Sequence, residues 1–576
     1  MQKKLSSLLD LFEHEAVAAD GTTPLDGSVI GATPIEGLAF DSREVKENFL
    51  FFALPGIHQN GNKFIASAID LGASVIIYQG ELSKDESAQI AKSIVCRSLE
   101  NIGNPQKKVS DIVMPVFLKV EDCRQAMPIV AADFFDNPSK KLIVIGVTGT
   151  EGKSSTVSFI WQLLRLMGKK AGFVSTVEYS IGEGALANPQ HTTTPESPII
   201  QRHLFDMVQE GCEYAVLECS SHGLSKKLGR LSNVFFDIAV FMNVTLEHLE
   251  FHKTFEQYRS DKSNLFRALD EHNHKKILNN VEVQVESFAV VNLEDANAKY
   301  FCEATTKKVY GFTSLGKAGR AATSTSNIPL PEIPENVEFL TAQNISANEN
   351  SLSFEIDVPK NFAKDENTFF VKTKLNGAFN AYNIMASLIV VSKSASIPIE
   401  DLLQKSTSLI PVAGRMTRID CGQPFEVIAD YAHTPSSFEV IFPPLRARCK
   451  GKIIALFGSG GERDVTKRPL QGEVAAKYCD TIILCDEDPR GEDSQKICMD
   501  IANGAIKAGM SLDENLLIIT ERPKAIRKAF SMAKAGDIVL LLGKGHENTI
   551  IYKDFVMPYD EASEAKKALT ELGYRD

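Results

Sequence analysis

The chain has 576 residues, 44% hydrophobic and 24% charged, an ordinary globular composition too long for one core and sized for about three or four domains. A net charge of −12 argues against a nucleic-acid partner, because no basic surplus is available to neutralise a phosphate backbone. Ten cysteines without a Cys-x-x-Cys pair, an opening Met1-Gln2-Lys3-Lys4-Leu5-Ser6-Ser7-Leu8 without an apolar core, and no run of membrane-spanning length read as a cytoplasmic protein with reduced thiols and no membrane insertion.

Short apolar runs at Phe49 to Leu54, Ala73 to Tyr78 and Val116 to Val120, with a helical stretch at Asn62 to Leu71, predict a first α/β unit. Residues 86–114 mix charge, Asn, Gly and Pro without clear period and read as an insertion or loop. From Lys140 the alternation resumes, with strands expected at Lys141 to Ile145, Ala171 to Ser175, Tyr214 to Glu218, Asp237 to Asn243, Lys276 to Asn279 and Ala289 to Asn292. Thr313 to Glu335 reads as a loop, Val337 to Leu340 and Ser351 to Val358 as antiparallel strands, Ala381 to Lys393 as a helix, and Pro411 as a hinge. Strands at Lys452 to Gly458, Thr481 to Cys485, Leu516 to Ile519 and Asp537 to Gly543 complete a third α/β unit, whose Gly-rich or acidic turns stand where open parallel sheets hold ligands. The expectation is three α/β domains in series, at 1–135, 136–408 and 409–576.

The strongest local signal is Gly146-Val147-Thr148-Gly149-Thr150-Glu151-Gly152-Lys153-Ser154-Ser155-Thr156, between a buried strand and a helix running to Leu166. In such a turn, successive backbone N–H groups and a helix N-terminus face an anion, Lys153 adds a full charge, and Ser154 brings a hydroxyl suited to Mg²⁺. The usual phosphate-loop pattern wants glycine where Val147 stands, and this chain has it at 146 and 149 instead. Two further strand ends project polar groups, Glu218-Cys219-Ser220-Ser221-His222 and Asn243-Val244-Thr245-Leu246-Glu247-His248-Leu249-Glu250-Phe251-His252. Glu218 suits Mg²⁺ directly or through water. By its residue type, His248 stands evenly between metal ligand and hydrogen-bonding group, while His222 and His252 read as structural.

With these stand Asp41-Ser42-Arg43, Thr193-Thr194-Pro195, Tyr258-Arg259-Ser260-Asp261-Lys262, Gly377-Ala378-Phe379-Asn380-Ala381-Tyr382-Asn383, Gly414-Arg415-Met416, Asp430-Tyr431-Ala432-His433-Thr434-Pro435, Gly460-Gly461-Glu462-Arg463-Asp464, Lys467-Arg468-Pro469, Glu487-Asp488-Pro489-Arg490 and Gly543-Lys544-Gly545-His546-Glu547. In this order the motifs resemble the Mur ligases of peptidoglycan synthesis, nearest to the branch that adds the third residue of the stem peptide. The resemblance implies an N-terminal UDP-substrate domain, a central P-loop-type ATPase domain and a C-terminal Rossmann-like domain. The implied partners are UDP-N-acetylmuramoyl-L-alanyl-D-glutamate and a free diamino acid (L-lysine, L-ornithine or meso-diaminopimelate), joined by a monomeric enzyme through an acyl phosphate with ATP and two Mg²⁺ sites.

Residue by residue, it implies that Thr148, Gly149, Thr150, Gly152, Lys153, Ser154 and Ser155 hold ATP, with Asn380 near the adenine and Arg415 and Asp430 on ribose or phosphates. Ser154 and Glu218 would hold one Mg²⁺, and His248 with a carbamylated Lys262 the second. Ser42, Arg43 and His58 match the uridine-diphosphate region. Thr193, Thr194, Ser220 and Arg230 match contacts along the muramoyl peptide, although Arg230 lies two residues further from Glu218 than in the common pattern. Arg463, Glu487, Asp488, Pro489, Arg490, Gly543 and Glu547 would form the amino-acid pocket. There Asp488 replaces a usual asparagine, a charge that either favours a bare ammonium such as lysine or ornithine or neutralises Arg490. Other departures are Glu151 for asparagine, Ser154 and Ser155 for threonines, Glu247 and Glu250 for aspartates, Ala378 for a frequent arginine and Val465 for a frequent lysine. The alternatives are a related ligase (D-alanyl-D-alanine-adding, folylpolyglutamate- or cyanophycin-like), a phosphotransferase or nucleotide switch using the loop alone, and a non-catalytic nucleotide-sugar binding protein.

Overall fold

The computed structural model describes residues 2–19, 21, 23–25, 30–56, 60–189, 192–245, 247–315, 337–348, 351–363 and 367–575, except 104–113. Strands gather into three main sheets of five, eleven and six. In the first, Gly37–Ala39, Phe49–Phe52, Ala73–Gln79 and Val116–Val120 run parallel, and Glu15–Val17 closes one edge antiparallel. The segment read as a loop from residue 86 is instead largely the helix Lys84–Gly103. Ile90 and Ile94, four residues apart and buried, seat it, and Arg97 ties it to Ile69 O and Glu47. Residues 104–113 of that segment, and 316–335 of the expected Thr313–Glu335 loop, lie outside the described residues.

The central sheet runs parallel through Ala171–Val174, Tyr214–Glu218, Ile143–Thr148, Ile238–Phe241, Phe288–Asn292, Lys308–Thr313 and Glu338–Ala347, then antiparallel through Leu352–Val358 and Asn367–Thr373. The loop-bearing strand Ile143–Thr148 lies between Tyr214–Glu218 and Ile238–Phe241, so the motifs after all three strands emerge side by side. Lys276 to Asn279 does not join this sheet: Lys275–Leu278 pairs with Val281–Gln284 as a separate hairpin. The helix Phe255–Arg267 packs across the loop-bearing strand. A Cβ at Gly146 would come within 2.5 Å of Leu265 Cδ1 and 2.9 Å of Phe236 Cε1, so glycine there admits the helix that carries Lys262.

The third sheet has the order Thr417–Ile419, Glu426–Asp430, Ile538–Leu542, Ile453–Phe457, Thr481–Leu484, Leu516–Ile518, parallel except for its first pair. Its strand Glu426–Asp430 was not anticipated from the sequence. Near Pro411, the backbone of Ile410 exchanges two hydrogen bonds with the Gln162 side chain of the helix after the phosphate loop.

Candidate active site

The loop after Ile143–Thr148 turns through Gly152 at φ +82° into the helix Lys153–Leu166. Side chains, not a ligand, hold it in shape. Asn243 Oδ1 accepts from the Thr150 and Glu151 N–H groups at 3.1 and 2.8 Å. Thr150 Oγ1 meets Tyr258 OH at 3.0 Å and accepts from Thr245 N. Two lysines hold loop carbonyls, Lys153 Nζ donating to Thr150 O at 2.7 Å and Lys262 Nζ to Gly149 O at 2.6 Å. Lys262 is buried, and burial together with the charge of Lys153 drives its ammonium well below the usual lysine range.

Glu218 ends its strand buried and accepts from Thr176 N at 2.8 Å. With the buried Ser154 hydroxyl it offers the hard oxygen donors that Mg²⁺ takes. His248 sits with φ +57°, its Nε2 3.6 Å from Glu247 and its Nδ1 3.4 Å from Glu250. Burial pushes Glu247 up, but His248, His433, Lys153 and Lys467 outweigh it and hold the carboxyl at about 2. His252 is bound through both ring nitrogens, to Asp261 at 2.7 Å and Ser221 at 2.9 Å. His222 stacks edge-on to His248, with ring centroids 5.0 Å apart.

The third unit closes over this loop. Arg415 Nη2 reaches Ser154 Oγ at 3.4 Å, Thr434 Oγ1 reaches Glu151 at 3.5 Å, and His433 stands 3.9 Å from Glu247. Asp430, buried, accepts from Met416 N and Ala432 N. Between the units lies a cavity of about 410 Å³, lined by Thr150 to Ser155 and Arg415 and Asp430 across from them. Asn292, Glu294, Phe379 and Tyr382 also line it, and sequence reasoning did not single these out for a site. Asn380 points inward: its amide donates to Asn376 O and accepts from Asn383, and Asn383 is the neighbour that faces the cavity.

Away from the loop, Thr194 Oγ1 joins the Glu218 strand end to Ser220 N, and Arg230 pairs with Glu196 at 2.8 Å while donating to Thr194 O. Thr193 is partly exposed beside them. Ser42 is buried in the first unit, and Arg43 is exposed and paired with Asp41; His58 lies outside the described residues. In the third unit, Lys544 is held by Asp488 and Glu547, Gly543 lies against Glu487, and the charges of Arg463, Arg490 and Asp488 act on one another; Pro489 lies between Asp488 and Arg490. Asp488 Oδ1 accepts from buried Lys544 Nζ at 2.8 Å and from Ile551 N at 3.0 Å, whereas Arg490 stands 4.0 Å away. Lys544 thus takes up most of the charge that either sequence reading assigned to Asp488. Glu487 is the less satisfied carboxylate: Oε2 is buried without a partner among the described residues, and burial pushes the group up to about 7.

Three family descriptions match in order: Mur ligase family, catalytic domain, over residues 34–134; Mur ligase middle domain over 147–391; and Mur ligase, glutamate ligase domain, over 414–545. The UDP-N-acetylmuramyl-tripeptide synthetase of Treponema denticola is 48% identical, over 93% of this chain and 94% of the relative. The chain belongs to the Mur ligase family. A UDP-N-acetylmuramoyl-L-alanyl-D-glutamate–2,6-diaminopimelate ligase of Geobacillus kaustophilus is 34% identical over 94% of this Mur ligase and 96% of its own length. A solved structure titled as such a diaminopimelate ligase shares the fold over the full length of both chains, with a TM-score of 0.54 and 24% identity. Mur ligases are ATP-dependent, ADP-forming amide ligases, and in this one the phosphate loop and Arg415 face each other across a cavity between two units. Asn383 and Tyr382 had a signal in the sequence: they belong to the same Gly377-to-Asn383 motif as Asn380, one helical turn along.

Proposed function

We propose that this Mur ligase adds a diamino acid, L-lysine, L-ornithine or meso-diaminopimelate, to the D-glutamyl γ-carboxylate of UDP-N-acetylmuramoyl-L-alanyl-D-glutamate. The names of the relatives support the substrate. The observation that carries the mechanism is the meeting, on one cavity, of the phosphate loop and Arg415 of the third unit, with the buried Lys262 bonded to the Gly149 carbonyl of that loop.

In this reading ATP lies between the second and third units, and Lys153 exchanges its neutral acceptor, Thr150 O, for phosphate oxygens, a charge-assisted bond about twice as strong. Arg415 neutralises phosphate charge from the opposite wall. Ser154 and Glu218 would be the oxygen donors for one Mg²⁺, and the His248 imidazole with a carbamylated Lys262 would hold a second; such ions would supply charge neutralisation at the transferred phosphoryl group. Lys262 fits that role because its burial, with the charge of Lys153 beside it, favours the neutral amine. A neutral amine adds CO₂ to give a carbamate and a proton, so a buried lysine would become a carboxylate-like ligand. The γ-carboxylate attacks the γ-phosphorus and ADP leaves; the amine of the incoming amino acid then attacks the acyl carbon and phosphate leaves. Closure of the third unit keeps water from the acyl phosphate.

Ser42, Arg43, Thr193, Thr194, Ser220 and Arg230 are assigned to the nucleotide-sugar. Arg463, Arg490, Glu487 and Glu547 are assigned to the amino acid. Action as a cytoplasmic monomer belongs to the same proposal. Incubating the enzyme with UDP-muramoyl-dipeptide, ATP and Mg²⁺ plus each of the three diamino acids tests it, with ADP release and the tripeptide product as readouts. Absence of ADP release with all three would sink the reading. Asp488→Asn is expected to change the preference among them little, because Lys544 already neutralises that carboxylate.

A further inference from the structure

His222, His248 and Glu250 converge at the rim of the site. His222 stands on the short helix Ser221–Leu224 after the Glu218 strand, and His248 and Glu250 at the start of Leu249–His252. Their ligand atoms all lie within 4.8 Å of one another, and His248 Nδ1 is 3.4 Å from Glu250 Oε1. Zinc bonds of about 2.0–2.2 Å place two donors of one tetrahedral ion roughly 3.3 Å apart, so one pair already has the spacing and the third donor needs only a small side-chain rotation. The left-handed backbone of His248, a conformation non-glycine residues hold at a cost, places its ring edge-on to His222. The His248 and Glu250 side chains are 38% and 34% exposed, which gives an ion and its waters a path in.

A second His/carboxylate group, Asp237, His272 and His274, makes an instructive contrast. There Lys276 Nζ sits 2.8 Å from Asp237, which also accepts from Val144 N, and His274 is bound on both ring nitrogens, to Asp237 and to Leu269 O. A lysine ammonium fills the place an ion would take. Among the described residues no lysine or arginine is ion-paired with the His222 group: Arg230 and Lys253 have partners elsewhere, Glu196 and Glu250 O, and Arg463 acts on Glu250 through its charge alone.

We propose that His222, His248 and Glu250 form a site for a divalent transition-metal ion, such as Zn²⁺ or Co²⁺, and that filling it withdraws His248 from the reacting centre and inhibits the ligase. Two imidazoles and one carboxylate with an open side suit those ions, whereas Mg²⁺ prefers an oxygen shell. The inhibition rests on the reading of His248 given above; the binding does not.

The test is titration of the full-length Cys96→Ser protein, which lacks the exposed thiol, with Co²⁺ alone. The site predicts a visible d–d absorption that saturates at a single ion per chain, without thiolate charge transfer, and that disappears in His222→Asn and in Glu250→Gln. Thermal melting checks that both variants fold. In the Mg²⁺-supported ligase assay Zn²⁺ should inhibit the parent, a chelator should reverse this, and each variant should need about tenfold more Zn²⁺ or beyond. No absorption, or absorption that survives in both folded variants, overturns the site. Absorption without inhibition overturns the link to His248. Failure of ligation with every amino acid overturns the functional reading and leaves the Co²⁺ result standing.

Discussion

A carboxylate in a phosphate loop repels its ligand unless it gives up its charge, and Glu151 is placed to do so. Burial and the neighbouring Glu247 raise its pKa to about 7, against the pull of Lys153 and Arg415, and Thr434 donates to it from the third unit. Since the folded pKa lies above the ordinary 4.5, the folded state binds more protons than the unfolded chain between those values. Glu151 therefore contributes a loss of stability that grows as pH rises from about 4.5 to 7 and is constant above. Glu151→Gln should melt increasingly above the parent across that window, and a gap in melting temperature independent of pH would refute this. Lys262 carries the opposite logic, a cation discharged by burial. Lys262→Arg keeps a fixed charge and cannot form a carbamate, so kcat should fall on the order of 100- to 1,000-fold, the usual loss for one preorganised electrostatic group.

At the scale of elements, the site depends on how closely the helix Phe255–Arg267 lies on the strand Ile143–Thr148. Gly146→Ala should cost about 1–3 kcal/mol by overpacking against Leu265 and Phe236, read as a lower urea midpoint. It should also lower kcat, since Lys262 rides on the displaced helix. Gly146 looked in the sequence like an offset phosphate-loop glycine; its packing role needed a partner 119 residues away, Leu265, which no local pattern reveals. The buried strands Tyr214–Glu218 and Val116–Val120 were legible to the residue because their apolar runs, the second interrupted only by Lys119, are closed by Glu218 and Glu121. The helix Lys84–Gly103 was missed because Ile90 and Ile94 are its only buried hydrophobic residues among the described ones, with Val95 and Leu99 exposed and the period blurred. Glu426–Asp430 was hidden for another reason, as a short strand whose neighbour Ile538–Leu542 is far along the chain. In the site, motif residues such as Lys153, Glu218 and Arg415 were readable, while the tie between Asp488 and Lys544 was not, being a contact between two motifs.

For the whole molecule, the cavity has walls from two units, so affinity for ATP depends on their approach. Arg415→Ala removes the only third-unit cation shown touching the loop helix among the described residues. Loss of a hydrogen bond to a charged group is worth about 1.5–3 kcal/mol, so the Kd for ATP should rise roughly 10- to 150-fold by calorimetry. An unchanged Kd would remove Arg415 from the phosphate site.

Ser154 and Arg415 lie 261 positions apart, and their meeting also has a meaning for synthesis. Domains generally fold in the order in which they leave the ribosome. The second unit, whose core runs on to Leu409, thus closes around its phosphate loop shortly before Arg415 and Asp430 emerge. During that interval the half-built site has one wall and stays open to water, and it lacks the arginine that would steady a triphosphate. In a ligase arranged in this way the second wall of the cavity is the last to be built.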